Sequence, residues 1–369
     1  MNESAQMPQN PAQAALVLAP MDGITDAPMR ALQGEIGAFS YSVTEFLRVS
    51  IEPLPRKVFL RDVPELNDLG QTPSGLPVQV QILGGDPERM AISAVTACRA
   101  GAHSIDINFG CPAPTVNRND GGASLLRHPD RIREIVRAVR DAVPPEIPVS
   151  AKLRLGWESI EDIHVNAQMV AEGGASWITI HARTKAQGYN PPVFWKPIGV
   201  VRRALDIPVV ANGDIWTLED FYRCQDETGC NRFMLGRSAL ANPSLSHQVA
   251  RELGLPFDPE PITDWQPLLR GFLHWCEHYK DYLSNHVVKR LKQWLSIASR
   301  HGDFAHFDVL KRTITVDEFF AQLHAAEVTE NSTENGLPSP MERTAESLSS
   351  EASASVLASS AAPNRPFRP

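Results

Sequence analysis

The amino-acid sequence predicts an α/β protein: a (β/α)8 (TIM) barrel followed by a small C-terminal helical domain and a disordered tail. Three observations carry this expectation. Between residues 16 and 255, short apolar runs alternate with amphipathic helical stretches. The runs read as continuously apolar, as strands do when both faces are covered. After Leu235 no further β-run follows, and from about Pro261 the apolar period is helical.

The candidate strands, in order, are Leu16–Ala19, Tyr41–Glu45, Val78–Leu83, Ser104–Asn108, Pro148–Arg154, Trp177–His181, Pro208–Asn212 and Arg232–Leu235. The helical pattern between them is clearest in Asp130–Val143, where Ile132, Ile135, Val136 and Val139 share a face, and in Ile160–Glu172. Parallel neighbours need such crossovers, and eight units in about 240 residues is barrel size. The expected boundaries are 1–14 for a flexible N-terminus, 15–258 for the barrel, 262–326 for the helical domain and 328–369 for the tail. Helices are expected over Trp265–Leu283, His286–Ser299 and Phe307–His324. The tail is rich in Ser and Ala, with too few large apolar residues to offset its ordering entropy.

Bulk properties bound the function. The chain has 369 residues, 43% hydrophobic and 21% charged, ordinary for a soluble globular protein. No run approaches the length of a transmembrane helix, and the polar start MNESAQMPQNPAQ has no secretory pattern. Five Cys at unrelated spacings fit reduced thiols in a cytoplasm; Cys224 and Cys230 lack the second pair or His pattern of a metal site. A net charge of −8 gives no global sign of nucleic acid. Yet residues 280–312 hold seven Lys/Arg against three Asp. That excess fits either a solvated helix face or a phosphate-contacting surface.

The strand ends point to a cleft. PMDG (20–23), TEF (44–46), QILGG (81–85), NFGC (108–111), KLRLGW (152–157), HART (181–184), NGD (212–214) and LGR (235–237) all place polar, charged or Gly residues just past an apolar run. On one rim of a barrel they would line a site with hydrogen-bonding groups. Asn212–Asp214 and Gly236–Arg237 follow strands seven and eight, where barrels often hold a phosphate. Lys152 lies inside the barrel by position, where an unpaired cation is costly, so it is expected to face an anion or an electron-rich ring, the alternative being a pairing with a structural carboxylate.

Cys111 stands apart. A core thiol would sit within an apolar run; this one lies beyond the strand, between Gly110 and Pro112. Pro112 and Pro114 stiffen the loop and are expected to forbid a helix there. Gly121 and Gly122 then give a flexible lead into a helix expected near Ala123.

Together these residues resemble the tRNA-dihydrouridine synthases, flavoproteins that reduce uridine in tRNA. The matching motifs are LAPMDGITDAPMR (18–30), TEF, VQILG (80–84), DINFGCP (106–112), KLRLGW, HARTKAQGY (181–189), ANGDI (211–215) and LGR. The resemblance covers residues 16–326. RLKQWLS (290–296) and QGY (187–189) look like the C-type bacterial subgroup, whose target is uridine 16 of the D-loop. Phe109 departs from the small residue or Cys of many members. Asp22 and Asp214 stand where Glu is common in the subgroup.

The resemblance implies FMN across the barrel mouth, with NADPH or NADH as reductant. The cofactor-binding residues would be Pro20, Met21, Asp22, Gln81, Lys152, His181, Asn212, Gly213, Asp214, Gly236 and Arg237. Cys111 would protonate C5 of the uracil, with Asn108 on the uracil edge and Arg183 on the substrate. Arg48, Arg290, Lys292 and Arg312 match tRNA-contacting positions. Tyr189 fits stacking on the loop or ordinary surface packing. The implied partner is tRNA, with no metal and no membrane, and the chain is expected to be a cytoplasmic monomer. The competing expectation is an FMN barrel oxidoreductase acting on a small pyrimidine-like substrate, of the dihydroorotate dehydrogenase kind. A non-catalytic RNA-binding or folding module on a degenerate barrel is a third.

Overall fold

The computed structural model describes residues 13–257, 262, 264–279 and 284–334. Nine strands form its sheet: β1 (Ala15–Leu18), β2 (Tyr41–Val43), β3 (Leu47–Arg48), β4 (Val78–Leu83), β5 (Ile105–Phe109), β6 (Val149–Arg154), β7 (Trp177–His181), β8 (Val209–Asn212) and β9 (Arg232–Leu235). All pair in parallel, in the order β2-β1-β9-β8-β7-β6-β5-β4-β3, and β2 also pairs with β4. That last pairing closes the ring, so the sheet is the expected (β/α)8 barrel. The second strand differs from its expected single run, Tyr41–Glu45. The chain leaves the sheet after Val43 and returns one step on, pairing Leu47 with Ile82.

Alternation along the strands divides the side chains into an outer and an inner set. The outer set, with Val80, Ile82, Ile105, Ile107, Ala151 and Leu153, forms the main core with the surrounding helices. The inner set is of two kinds. Val17, Ala19, Tyr41, Val43, Trp177, Val210 and Met234 make a small apolar cluster within the barrel, where Tyr41 and Trp177 meet edge to face with centroids 6.1 Å apart. From β4, β5 and β6 come buried polar residues instead: Gln79, Gln81, Asp106, Asn108 and Ser150. Strands this apolar in bulk thus carry a polar inner flank.

The loop after β5 corrects one expectation. Pro112 and Pro114 do not exclude a helix: Pro114–Asn117 is a short one, with Pro114 in its first turn. Proline is at home there, because the missing N–H would lack an intrahelical partner anyway. The next turn is a 3-10 helix, Gly122–Arg127, before the α-helix Pro129–Ala142.

Beyond the barrel, helix Trp265–His278 lies against helix Ala27–Ile36, where Trp275 Nε1 donates to Glu35 Oε2 at 2.9 Å. Helix Ser284–His301 packs beside helix Arg237–Ala241, and Trp294 Nε1 donates to the Leu240 carbonyl at 2.9 Å. Trp294 packs against Trp265 and Phe272. The described residues up to Val316 belong to one compact unit; the other begins at Asp317, and its described part is the rest of helix Val316–Glu334. That helix takes in residues 328–334, which the composition assigns to the tail. The expectations for residues 1–12, 258–261, 263, 280–283 and 335–369 fall outside the described residues.

One ion pair is sealed inside the first unit. Arg30 Nε and Nη2 donate to Glu65 at 2.7 and 2.9 Å, and both side chains are essentially without solvent contact. Removing one member of such a pair leaves a buried charge uncompensated. Glu65→Ala is expected to lower unfolding stability by about 3–5 kcal/mol, read as the shift in urea midpoint at constant slope.

Candidate active site

A cleft of about 330 Å³ opens at the carboxyl ends of the strands. Its lining includes Pro20, Met21 and Asp22 after β1, Glu45 and Phe46 after β2, Gln81 of β4, Asn108 of β5, and Cys111 on the loop beyond. Lys152 and Arg154 of β6, His181 of β7, Asn212, Gly213 and Asp214 from β8, and Gly236 and Arg237 after β9 complete the ring.

Cys111 is half-buried on this lining, with a free thiol. Its loop is pinned from several sides. The N–H groups of Gly110 and Cys111 donate to Asn108 Oδ1 at 2.8 and 2.9 Å. The Cys111 carbonyl accepts from Ala123 N at 3.1 Å. Gly122 closes the loop at φ +60°; a Cβ there would lie 2.9 Å from the Cys111 carbonyl oxygen, so only glycine fits. Arg154 Nε donates to the Gly110 carbonyl at 2.8 Å, and its Nη1 to the Gly188 carbonyl at 2.8 Å. Burial pushes the Cys111 thiol above its ordinary value.

The same lining carries a cluster of basic residues. Lys152 Nζ donates to Asn212 Oδ1 at 3.1 Å, while Asn212 Nδ2 donates to the Met234 carbonyl at 2.8 Å. Burial lowers Lys152 from 10.5 to about 8, with nearby Arg154 acting in the same direction. Burial, then Arg154 and Lys152, hold His181 well below its ordinary value, so its ring is neutral. Its Nδ1 is buried with no partner. Tyr189 stands over this group, 57% exposed, with its ring edge-on to His181 and near the guanidiniums of Arg154 and Arg237.

These features fit an anionic ligand. Gly213, at φ +119°, leaves room beside His181 that a side chain would fill; its Cβ would approach Ala182 N to 3.2 Å. The orphaned His181 Nδ1 and the cations Lys152, Arg154 and Arg237 supply the polar contacts such a ligand needs. Among the described residues, no cluster of His, Cys, Asp or Glu could hold a metal ion.

The structure redistributes several expected roles. Arg183 is fully buried behind the rim and grips Asp214 with both terminal nitrogens, with Nε on the Asn190 carbonyl at 2.7 Å. It positions Asp214 and has no face left for a substrate. Asn108 is on the lining, but its carbonyl is committed to the Cys111 turn. Arg290 has little free surface: its side chain is 13% exposed, paired with Asp26 at 2.8 Å and bonded to the Ile24 carbonyl at 2.6 Å. Lys292 caps the carbonyl of Thr313 at 2.8 Å, and Arg48 reaches the Thr115 carbonyl at 3.2 Å. Arg312 is exposed.

Other lining residues had no assigned role. Arg154 shares the inward face of β6 with Lys152, two residues on, and that period-two spacing could have found it. Glu45 accepts from the Gly23 N–H, a pairing invisible in sequence. Trp216 lies on the rim, its ring stacked on His301 at 4.4 Å.

A closed parallel barrel with its cleft at the carboxyl ends of the strands, lined by a thiol and several cations, belongs to the class of (β/α)8 proteins built for ligand chemistry. Residues 17–306 match the family model described as dihydrouridine synthase (Dus), and the chain belongs to that family. It is 43% identical over 302 residues to the tRNA-dihydrouridine(16) synthase of Shewanella oneidensis, covering 82% of this chain and 93% of that one. The protein of the same name from Aquipseudomonas alcaligenes is 44% identical over 287 residues, covering 77% and 90% of the two chains. That from Neisseria meningitidis is 42% identical over 315 residues, covering 85% and 94%. Among solved structures, a 2-naphthoyl-CoA reductase superposes with a TM-score of 0.52 at 12% identity, over 66% of this chain and 50% of that one, a likeness of fold alone.

Lys152 gives a test of the site's electrostatics. Its folded value lies below the ordinary one, so between pH 8 and 10.5 the unfolded chain holds a proton that the folded chain has lost. Stability therefore rises with pH across that window and is penalised below it. Lys152→Met is expected to be more stable than wild type at pH 7, with the advantage shrinking from pH 8 to pH 10. Urea unfolding of both proteins at three pH values checks this.

Proposed function

We propose that this chain reduces uridine to 5,6-dihydrouridine in the D-loop of tRNA, at position 16, with FMN as resident cofactor and NADPH or NADH as reductant. The observation that carries the reading is Cys111, a protonated thiol on the same cleft lining as the cations Lys152, Arg154 and Arg237, which suit an anionic cofactor, in a chain of the dihydrouridine synthase family. Relatives at 42–44% identity bear the name tRNA-dihydrouridine(16) synthase.

Bound FMN would supply a hydride to the uracil ring. Lys152, His181, Asn212, Gly213, Gly236 and Arg237 are the residues to hold it, with Pro20, Met21, Asp22 and Gln81 at its border. The Lys152 cation favours negative charge gathering nearby. Cys111 holds the proton destined for C5. Because burial raises the thiol, that proton stays in place near neutral pH, yet the thiol is acidic enough to yield it to a carbanion. Tyr189, more than half exposed beside the mouth, offers a face for a base turned out of a single-stranded loop.

For the tRNA body, the exposed cations of the helical segment are the contacts: Lys289, Arg300 and Arg312. Arg290 and Lys292 shape that surface from within.

Cys111→Ala is expected to keep cofactor and tRNA binding while turnover falls about 10²–10⁴-fold, the range for one general acid. The assay is dihydrouridine formed in tRNA that lacks it, with NADPH. Loss of the yellow cofactor in this variant would show the residue misplaced, and turnover of a free pyrimidine but not of tRNA would favour a small-molecule reductase. The wild-type rate is expected to fall on the alkaline side, above the ordinary thiol range, as Cys111 loses its proton. Lys289→Ala with Arg312→Ala is expected to reduce the slope of log affinity against log salt by about 0.7–0.9 for each phosphate no longer neutralised, while Arg290→Ala lowers stability first. Filter binding across a salt series, beside thermal melts, separates them.

A further inference from the structure

Beneath the cleft lies a carboxylate that the proposed reaction does not use. Asp106 is on β5, two residues before Asn108, on the same inward face and one layer deeper; it is 2% exposed. One oxygen accepts from Ser150 Oγ, and the other accepts from Gln81 Nε2 at 2.7 Å. Gln81 Oε1 in turn accepts from Asn108 Nδ2 at 2.7 Å. Asn108 Oδ1 ends the chain on the N–H groups of Gly110 and Cys111.

We propose that Asp106 is a positioning residue for Cys111: by accepting at both oxygens it sets the direction of a hydrogen-bond chain through Gln81 and Asn108 that orients the Gly110–Cys111 turn. A primary amide has an acceptor face and a donor face, and a half-turn about its last bond exchanges them with no change of shape. Gln81 and Asn108 could therefore invert together. The two ends of the chain forbid it. Backbone N–H groups can only donate, and an ionised carboxylate can only accept. Between those ends, one orientation of both amides satisfies every group.

The surroundings keep Asp106 an acceptor. Gln79 Nε2 donates to Ser150 Oγ at 3.0 Å, which leaves the Ser150 hydrogen for Asp106. Lys152, on β6 one layer nearer the mouth, is the cation facing it. Burial raises the Asp106 carboxyl to about 6, against the pull of Ser150, Gln81 and Lys152, so it is ionised at neutral pH. An amide at 106 would no longer be compelled to accept from Gln81. The Gln81 and Asn108 amides could then turn over, and the Cys111 turn would lose its fixed acceptor.

The importance of this for proton donation rests on the function proposed above; the orientation of the turn does not. The test is therefore hydrogen–deuterium exchange of the full chain, with iodoacetamide alkylation of Cys111 as a second reading. Asp106→Asn is expected to speed exchange at Gly110 and Cys111 at least tenfold and to change the alkylation rate, while the amides of β6 and β7 exchange as in wild type. Combining it with Gln81→Glu moves the charge one place along: the carboxylate introduced there accepts from both neighbours, and protection at Gly110 and Cys111 is expected to return. Equal protection in wild type and Asp106→Asn, or no recovery in the double variant, overturns the proposal. Should Asp106→Asn not fold, Gln81→Leu cuts the same chain and must give the same local loss. A wild-type chain that leaves tRNA uridine unreduced, with the exchange pattern as expected, sinks the reaction and upholds the positioning. Normal tRNA turnover with unaltered exchange in Asp106→Asn does the reverse.

Discussion

The cleft depends on a carboxylate placed where a barrel usually packs hydrocarbon. Asp106 is buried on the inner face of β5, and Gln79, Gln81, Asn108 and Ser150 gather around it from its own strand and the two beside it. Buried polar groups are costly alone and rigid when fully paired. Here the donors converge on the carboxylate and the chain of bonds climbs to the rim, so a polar flank stiffens the mouth. The apolar cluster around Tyr41 and Trp177 fills the rest of the interior and gives that flank something to lean on.

At the rim the balance reverses, and cations crowd together. Lys152, Arg154 and Arg237 share one small lining with the neutral His181. Asp214 answers part of this charge through Arg183 and Arg237, and Asp106 answers part from below. The remainder is poised for an anion. Such a site opposes folding, since desolvation disfavours the charged forms of Lys152 and His181. Function and stability diverge there, as they commonly do at sites built for binding. Arg154 spans the divide: its guanidinium joins the Cys111 turn to the loop that carries Tyr189.

The helical segment shows why a count of charges is a poor guide to their task. Arg290 and Lys292 belong to the basic excess of residues 280–312, yet both are turned to structural work. Long basic side chains can lie along a surface and deliver their charge to a carbonyl or a carboxylate several ångströms away. Arg290 finds Asp26, which also caps helix Ala27–Ile36, and so fastens helix Ser284–His301 to the first loop of the barrel. Lys289 and Arg312 stay exposed. Which of these cations serves the fold is set by neighbours far away in the chain.

The fold was readable from local pattern, because strands buried on both faces must be apolar and crossovers must be amphipathic; β4, β7 and β9 fall where the apolar runs are. So was the thiol of Cys111, since a cysteine between Gly110 and Pro112 cannot be part of a strand's packed face. The break after Val43 and the helix at Pro114 were not readable, as each turns on one hydrogen-bond pairing or one helix position. Nor were the partnerships of Arg183 with Asp214, Arg290 with Asp26 and Gln81 with Asp106. Local sequence determined which elements form and which chemical groups reach the strand ends, because propensity and periodicity act over a few residues. The tertiary structure decided which of those groups meet, because a charge is satisfied by whatever the closed barrel brings within hydrogen-bond reach.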